Sequence, residues 1–282
     1  MAVKHRIWSG LRWKAWILSV AVGCGGSPST GPEEEPVEEV RFLSPAGTEH
    51  LMVRVHTGSF EMGSAVGNED EQPVHDVFLN TFYIDKYEVT NAQYLAFVEA
   101  GGRRPQFLWD DRFNAPDQPV AGVPWSDAGD YCTWVGMRLP TEAEWEKAAR
   151  GTDGRTYPWG NEKPDPTRLR FNSSDSPTPV GRFPNGVSPY GVHDMAGNVW
   201  EWTQDEYDSE YYARSPDRNP VNLYWTLEFN SPAVDHTLRG GGWSSRSEEV
   251  RASIRRNIFM LEETIGDIPD PMIGFRCARD VE

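Results

Sequence analysis

The 282-residue chain is short of cysteine, of basic charge and of long apolar runs. Its 27 lysine and arginine residues face 43 acidic ones, and the net charge of −16 leaves no basic stripe to neutralise nucleic-acid phosphates. The sequence also lacks a phosphate-binding glycine loop, a Ser/His/Asp pattern and zinc-ligand spacing. These absences exclude nucleic-acid binding, and they leave calcium or cationic partners open.

The N-terminus has the features of an export signal. Four basic residues are followed by an apolar run at residues 15–22, which is too short to span a bilayer. Ala21-Val22-Gly23-Cys24 is similar to a bacterial lipobox, so we expect Cys24 to be lipidated after cleavage. An ordinary signal peptide and an uncleaved anchor are the alternatives. The lipobox predicts an exported protein of the bacterial cell envelope, anchored to the membrane by lipid.

Three regions are predicted along the chain. Residues 1–23 form the signal peptide, and residues 24–45 form a tether rich in Gly, Ser, Pro and Glu. Residues 46–282 form the folded domain. Cys132 and Cys277 lie in that domain, and in an exported protein such a pair indicates one disulfide. Two free buried thiols are the alternative, which gains weight if the chain stays in the cytosol.

Composition predicts a domain with many loops, and the local strand and helix patterns predict the α+β class. Glycine and proline make up 48 of the 282 residues, about 17%, while 12 Trp and 12 Phe require a core. Alternating apolar residues predict strands near residues 51–62, 77–84, 237–238 and 274–278. Capping-box spacing predicts helices that begin after Thr90 and Thr141, and Ser126 is predicted to cap a third.

The segment Tyr190–Trp202 fits neither a helical nor a strand period. It combines a Gly-Asn pair and two tryptophans with the carboxylates of Asp194 and Glu201. Carboxylate and backbone carbonyl oxygens are the ligands that Ca²⁺ prefers. The residues alone leave this interpretation even with a core loop whose carboxylates cap backbone N–H groups.

Several motifs follow one another in an order that resembles the formylglycine-generating enzyme (sulfatase-modifying factor) family. They lie at residues 61–64, 87–91, 138–146, 157–161, 197–202, 239–241 and 273–277. The resemblance covers roughly Leu51 to Arg279. It implies a C-type-lectin-related fold with sparse secondary structure, structural calcium and, in the enzymes of the family, oxidation of a substrate cysteine to formylglycine. It also implies that Cys132 and Cys277 pair.

The copper-binding cysteines that the resemblance implies are missing. Ser245 lies at the first of the two positions, and the second falls near residues 248–250, which contain no cysteine. A hydroxyl has neither the softness nor the redox chemistry of a thiolate. We therefore expect no copper and assign no catalytic residue.

The calcium ligands that the resemblance implies can all be supplied. They are the side chains of Asp194 and Glu201 and the carbonyls of Gly197 and Val199. A second, weaker set comprises Asn172 and Ser173, with an Asx-turn at Asn172 as the alternative.

Basic residues cluster near the missing thiols, where the resemblance places a substrate groove. The candidate groove residues are Trp243, Arg246, Arg251 and Arg255. They could bind an anionic ligand, or the arginines pair with Glu248, Glu249, Glu262 and Glu263, which we favour. The sequence thus predicts a non-catalytic binding or scaffold module for an unidentified exported protein or peptide. The alternative is an oxidoreductase that converts a substrate cysteine to formylglycine.

Overall fold

The computed structural model describes residues 36–105, 110–223, 235–257 and 271–281. The described residues form one compact unit. The strands are β1 (Glu39–Leu43), β2 (Glu49–Val55), β3 (Gly58–Met62), β4 (His75–Leu79), β5 (Phe82–Asp85), β6 (Trp200–Glu206), β7 (His236–Arg239), β8 (Ile273–Gly274) and β9 (Ala278–Asp280). The α-helices of the described residues are α1 (Asn91–Glu99), α2 (Trp125–Trp134) and α3 (Glu142–Arg150). Loops make up most of the rest, as the composition predicts.

Helices α1 and α3 begin where the capping boxes predict. Thr90 and Thr141 each accept a hydrogen bond from the backbone N–H three residues on, and the side chain at that position accepts one from the backbone N–H of the cap. Helix α2 corrects the prediction for Ser126. The cap is Pro124, two residues earlier, and Ser126 lies inside the first turn of the helix. A proline at the cap fixes an extended backbone there without any side-chain cap.

The strands form three small sheets. One has the order β1-β2-β5-β9 and is antiparallel, and β3 pairs with β4 as a hairpin. In the third, β6 lies between β7 and β8 and runs parallel to β8. The strand predicted at residues 274–278 is two short strands, because the chain between β8 and β9 leaves one sheet and enters another.

Strand β1 lies inside the predicted tether and corrects its boundary. Glu39–Leu43 pairs with β2 over its whole length, and Phe42 packs against the main core cluster. The acidic residues that suggested a solvated spacer have partners, since Glu38 pairs with Arg54 at 3.1 Å and Glu39 with Lys86 at 2.5 Å. The ordered domain therefore begins before residue 46.

Aromatic side chains fill the core beneath these sheets. One cluster gathers Tyr94, Tyr131, Trp200 and Phe275, and another surrounds Trp145 of α3. The predicted disulfide is confirmed: Cys132 of α2 is bonded to Cys277, 145 residues later, with the Cα atoms 5.7 Å apart. Among the described residues, none of the helices has the length and apolar character needed to cross a membrane.

Candidate functional site

The loop that precedes β6 has an unusual backbone. Asp194, Gly197 and Asn198 have φ angles of 58°, 76° and 63°. A Cβ atom on Gly197 would lie 2.2 Å from the Arg170 carbonyl oxygen, so glycine is required there. The Gly197 and Asn198 N–H groups donate to the carbonyls of Gly240 and Arg170, each at 2.9 Å. The loop is therefore held in one conformation from both sides.

Three buried carboxylates gather at this loop. Asp194 Oδ2 accepts the Gly181 N–H at 2.6 Å. Glu201 is fully buried and forms a two-point ion pair with Arg276, with both N···O distances 2.7 Å. Glu88 accepts the Asn198 side-chain N–H at 2.6 Å and the Val199 N–H at 3.3 Å. Sequence reasoning did not assign Glu88 to the site, although it lies in the motif at residues 87–91.

Burial and mutual repulsion raise the pKa values of two carboxylates in this cluster. Burial raises the pKa of Asp194 to about 6, against the lowering effects of the Gly181 N–H and Arg276. Burial also raises the pKa of Glu88 well above its ordinary value, and the charges of Asp194 and Glu201 add to the shift. Three carboxylates share the single guanidinium of Arg276, so their ionised forms leave negative charge uncompensated.

The residues present fit a hard cation. The loop and turn hydrogen bonds of the described residues leave the carbonyls of Gly197 and Val199 unused. Together with Asp194 and Glu201 these carbonyls offer the all-oxygen set that Ca²⁺ binds. In the part of the chain that the structure describes, no group of three or more His, Cys, Asp or Glu side chains could hold a metal. The candidate site thus depends on backbone carbonyls as well as carboxylates.

The second candidate set lies next to the segment with the missing thiols. Asn172, with a φ of 47°, donates its N–H to the Ser245 carbonyl, and Ser173 donates to the Trp243 carbonyl, both at 2.9 Å. The Trp243 N–H in turn donates to the Asn198 carbonyl at 2.8 Å. The backbone of Trp243 therefore joins the two candidate calcium segments.

Ser245 is 4% exposed and has a structural role. Its hydroxyl accepts the Gly242 N–H at 3.1 Å, and its own N–H donates to the Gly242 carbonyl at 3.0 Å. The side chain closes a tight turn at the position where the resemblance places the first copper ligand. The sulfur atoms of Cys132 and Cys277 are bonded to each other, so neither is a thiolate.

The four groove candidates do not form one surface. Trp243 is 5% exposed and packs on Phe113, with the ring centroids 5.4 Å apart. Arg255 is 2% exposed and forms a two-point ion pair with Glu142, with N···O distances of 2.6 and 3.0 Å. These two residues belong to the interior, so the prediction that they line a groove is wrong.

The other two arginines remain closer to solvent. Arg251 forms a two-point ion pair with Glu71, both distances 2.6 Å, and its side chain is 15% exposed. The Arg246 side chain is 72% exposed, and its charge lies 3.5 Å from Glu248. The arginines do pair with acids, but Glu71 and Glu142 replace most of the partners that sequence proximity suggested. Glu262 and Glu263 lie outside the described residues.

Comparison with known proteins identifies the family. The model of the sulfatase-modifying factor enzyme 1-like domain matches residues 38–281, so the chain belongs to this family. The formylglycine-generating enzyme of Streptomyces coelicolor is 32% identical, over 91% of this chain and 96% of its own length. PvdO from Pseudomonas aeruginosa has a TM-score of 0.68 at 25% identity, over 86% of this chain and 98% of its own. The expected C-type-lectin-related α+β fold is confirmed.

Other relatives are longer than the chain. A protein described as serine/threonine-protein kinase pkn1, from Chlamydia caviae, is 36% identical over 88% of this chain but only 40% of its own length. The chain spans less than half the length of three such relatives. The family domain therefore occurs within larger proteins as well as at the full length of an enzyme.

Proposed function

We propose that the chain is a binding or scaffold module of the bacterial cell envelope that does not form formylglycine. The observation that carries this proposal is that the folded domain lacks a pair of free cysteine thiols. The chain has three cysteines, two of which are joined in the Cys132–Cys277 disulfide, and Ser245 replaces the first ligand of the family's copper pair. Cu(I) requires soft thiolate ligands, and the folded domain has no pair of them to offer.

Structural calcium is the second part of the proposal. Asp194, Glu201 and the carbonyls of Gly197 and Val199 would hold the ion, and Asn172 and Ser173 would contribute to a second site. A divalent cation supplies the positive charge that Arg276 alone does not supply to Glu88, Asp194 and Glu201. It would fix the loop on which β6 begins.

Anchoring at the membrane is supported by the lipobox-like sequence before Cys24, which lies outside the described residues. A Cys24→Ala variant should leave the membrane fraction and appear in the soluble one. Recovery of that variant with the membrane, at the level of the unmodified protein, would contradict lipidation as the anchor.

The lack of oxidase activity is tested directly. The purified chain is incubated with Cu(I), oxygen and a Cys-x-Pro-x-Arg peptide, and the peptide mass is then measured. We expect no conversion of the peptide cysteine to an aldehyde, while a working formylglycine-generating enzyme converts the same peptide. Aldehyde formation would overturn the proposal and would require a copper site built from other residues.

Formylglycine formation is the second candidate function. The observation in its favour is the 32% identity with the Streptomyces coelicolor enzyme over nearly the whole of both chains. We rank it second because the fold is retained while both thiol positions are lost.

Calcium is tested by thermal unfolding with added Ca²⁺ or with a chelator. Ca²⁺ should raise the melting temperature of the unmodified chain. At a free Ca²⁺ concentration 100 times Kd, binding increases the free energy of unfolding by about 2.7 kcal/mol. Asp194→Ala should remove the part of this shift that comes from the site at Asp194 and Glu201. Asp153→Ala is the matched control, since Asp153 is an exposed carboxylate paired with Arg155. A calcium shift of undiminished size in Asp194→Ala would contradict a site at Asp194.

A further inference from the structure

A second part of the surface, beside the candidate calcium loop, contains a pocket of about 340 Å³. Segments of residues 166–171 and 176–183 line it. Leu169, Phe171, Pro177 and Phe183 provide its apolar walls, and Arg170 and Arg182 provide its charge. None of these residues belongs to the candidate calcium ligands or to the positions of the missing thiols.

The pocket walls are held in place by hydrogen bonds to the rest of the domain. The Pro177 carbonyl accepts the side-chain N–H of Gln118 at 2.8 Å, and the Val180 N–H donates to the Asp117 carbonyl at 2.9 Å. Between them, the Thr178 N–H donates to the Asn198 side chain at 2.9 Å. A wall fixed in this way loses little conformational entropy when a ligand binds.

The opposite wall is fixed by a close backbone crossing. A Cβ atom on Gly186 would lie 1.8 Å from the Arg168 carbonyl oxygen, so glycine is required where the two segments meet. The Gly186 N–H also donates to the Phe183 carbonyl at 3.0 Å. The pocket is therefore a preformed feature of the fold.

The charge of the pocket is opposite to that of the chain. The charged residues among those that line the pocket are Arg170 and Arg182, whereas the whole chain has a net charge of −16. Arg182 lines the pocket and is exposed. Arg170 pairs with Asp175 at 3.2 Å, but the Asp175 side chain is 75% exposed, so water weakens that pair.

We propose that this pocket binds an acidic peptide segment of a partner protein. Carboxylates of the segment would pair with Arg170 and Arg182, and an apolar side chain would pack against Phe171 and Phe183. Guanidinium groups bind carboxylates through paired hydrogen bonds, and proline and phenylalanine walls supply apolar contact without a large entropy cost. A partner of this chemistry explains why an acidic protein has two arginine side chains beside an apolar pocket.

The proposal rests on the binding role proposed above, and it names the ligand class of that role. Its failure and the failure of the proposed function are distinguishable. Oxidation of a cysteine peptide by the chain would contradict the non-catalytic role and would leave the assignment of the pocket unchanged. A failure to bind the acidic peptide would contradict the assignment of the pocket and would leave the non-catalytic role unchanged.

The test is fluorescence polarisation of the purified full chain with two labelled peptides of equal length. In one, Glu and Asp alternate with Phe and Leu; in the other, Gln and Asn replace the acids. We expect binding of the acidic peptide alone, weakening as salt is raised. Equal binding of both peptides, or no binding of the acidic one, overturns the proposal.

Variants place the binding at this pocket. Arg182→Gln should lower the affinity for the acidic peptide about tenfold, which corresponds to about 1.4 kcal/mol of binding free energy. Arg182→Lys should retain part of the affinity, because the charge stays while the paired hydrogen bonds are lost. Arg246→Gln is the matched control, since Arg246 is also an exposed arginine but lies near the missing thiols. A tenfold loss of affinity in Arg246→Gln with no loss in Arg182→Gln would place the site near residue 246 and overturn the proposal.

Inorganic phosphate distinguishes a peptide site from a simple anion site. Phosphate at matched ionic strength should displace the acidic peptide poorly, because it cannot use the apolar walls. Complete displacement by millimolar phosphate would show a small-anion site and overturn the peptide assignment.

Discussion

Glu142, the first residue of α3, is a carboxylate that the fold buries and surrounds with guanidinium groups. Arg255 contacts both of its oxygens, and Arg239 donates to Oε1 at 3.0 Å. Burial by itself raises the pKa of Glu142, but Arg255 and Arg239 together hold it below its ordinary value. Arg239 also pairs with Glu146 at 2.5 Å, so α3 is tied by its charges to β7 and to the chain after the missing thiols.

Glu142→Gln should be strongly destabilising, because two buried guanidinium groups lose their shared counter-charge. Removing one partner of a buried pair costs about 3–5 kcal/mol. The free energy of unfolding in urea measures this cost. Glu49→Gln is the control, because Glu49 pairs with Arg41 at the surface, where both side chains are more than half exposed. It should change stability by less than about 0.5 kcal/mol, and similar losses in both variants would contradict the argument.

Among the secondary-structure elements, β1 has the largest difference between expectation and structure. Its alternating burial places Val40 and Phe42 towards the protein, and Arg279 lies over the Phe42 ring, 4.5 Å from its centroid. β1 covers the edge of β2, which would otherwise present unpaired backbone groups to solvent. The strand thus has a protective role as well as a packing role.

A chain that begins at Ala46 should be less stable than one that begins at Pro36. It loses the β1–β2 hydrogen bonds and the contacts of Phe42, which is partly buried and therefore contributes less than the ~1.5–3 kcal/mol of a fully buried phenylalanine. The melting temperatures of the two chains measure the difference. A third chain that begins at Gly25 should match the Pro36 chain. Equal stability of the Ala46 and Pro36 chains would show that residues 39–43 contribute nothing to the fold.

For the molecule as a whole, buried groups have opposite responses to acid. Burial lowers the pKa of His193 and of His236 to about 4, from 6.5. Burial, with the charge of Glu142, raises the pKa of Asp205 from 3.8 to about 7. As the pH falls from 6.5 to 4, the unfolded chain takes up protons on both histidines, which lowers stability. The Asp205 contribution has the opposite sign: it is lost as the pH rises through 7 and is fully present below about 3.8.

His236→Phe should separate these effects. Phenylalanine preserves the stack on Trp125, where the ring centroids are 3.6 Å apart and the planes 4° from parallel, but it takes up no proton. Between pH 6.5 and 4 the variant should lose less stability than the unmodified chain, by up to about 1.4 kcal/mol per pH unit. Urea unfolding at pH 7, 6, 5 and 4.5 measures the two slopes. Parallel curves would show that His236 is protonated equally in the folded and unfolded states.

The sequence by itself determined the features that depend on neighbouring residues or on composition. The capping boxes at Thr90 and Thr141 act within one helical turn, so they are legible without the fold. The sequence shows that residues 242–251, after the Arg-Gly-Gly motif, contain no cysteine, and the ordered motifs indicate the family. Its expectation of one Cys132–Cys277 disulfide was correct.

Tertiary structure decided everything that joins distant parts of the chain. Glu88 reaches the candidate calcium loop across 110 residues, and Arg255 reaches Glu142 across 113. No local pattern marks such partners, because an acidic or basic residue has the same propensity whether it is solvated or buried in a pair. For the same reason the local sequence around β1 is typical of a tether, and only the folded structure shows that Glu38 and Glu39 pair with Arg54 and Lys86. Burial and the pairing of charges are properties of the folded chain, and they separate the interior arginines from Arg182 at the pocket.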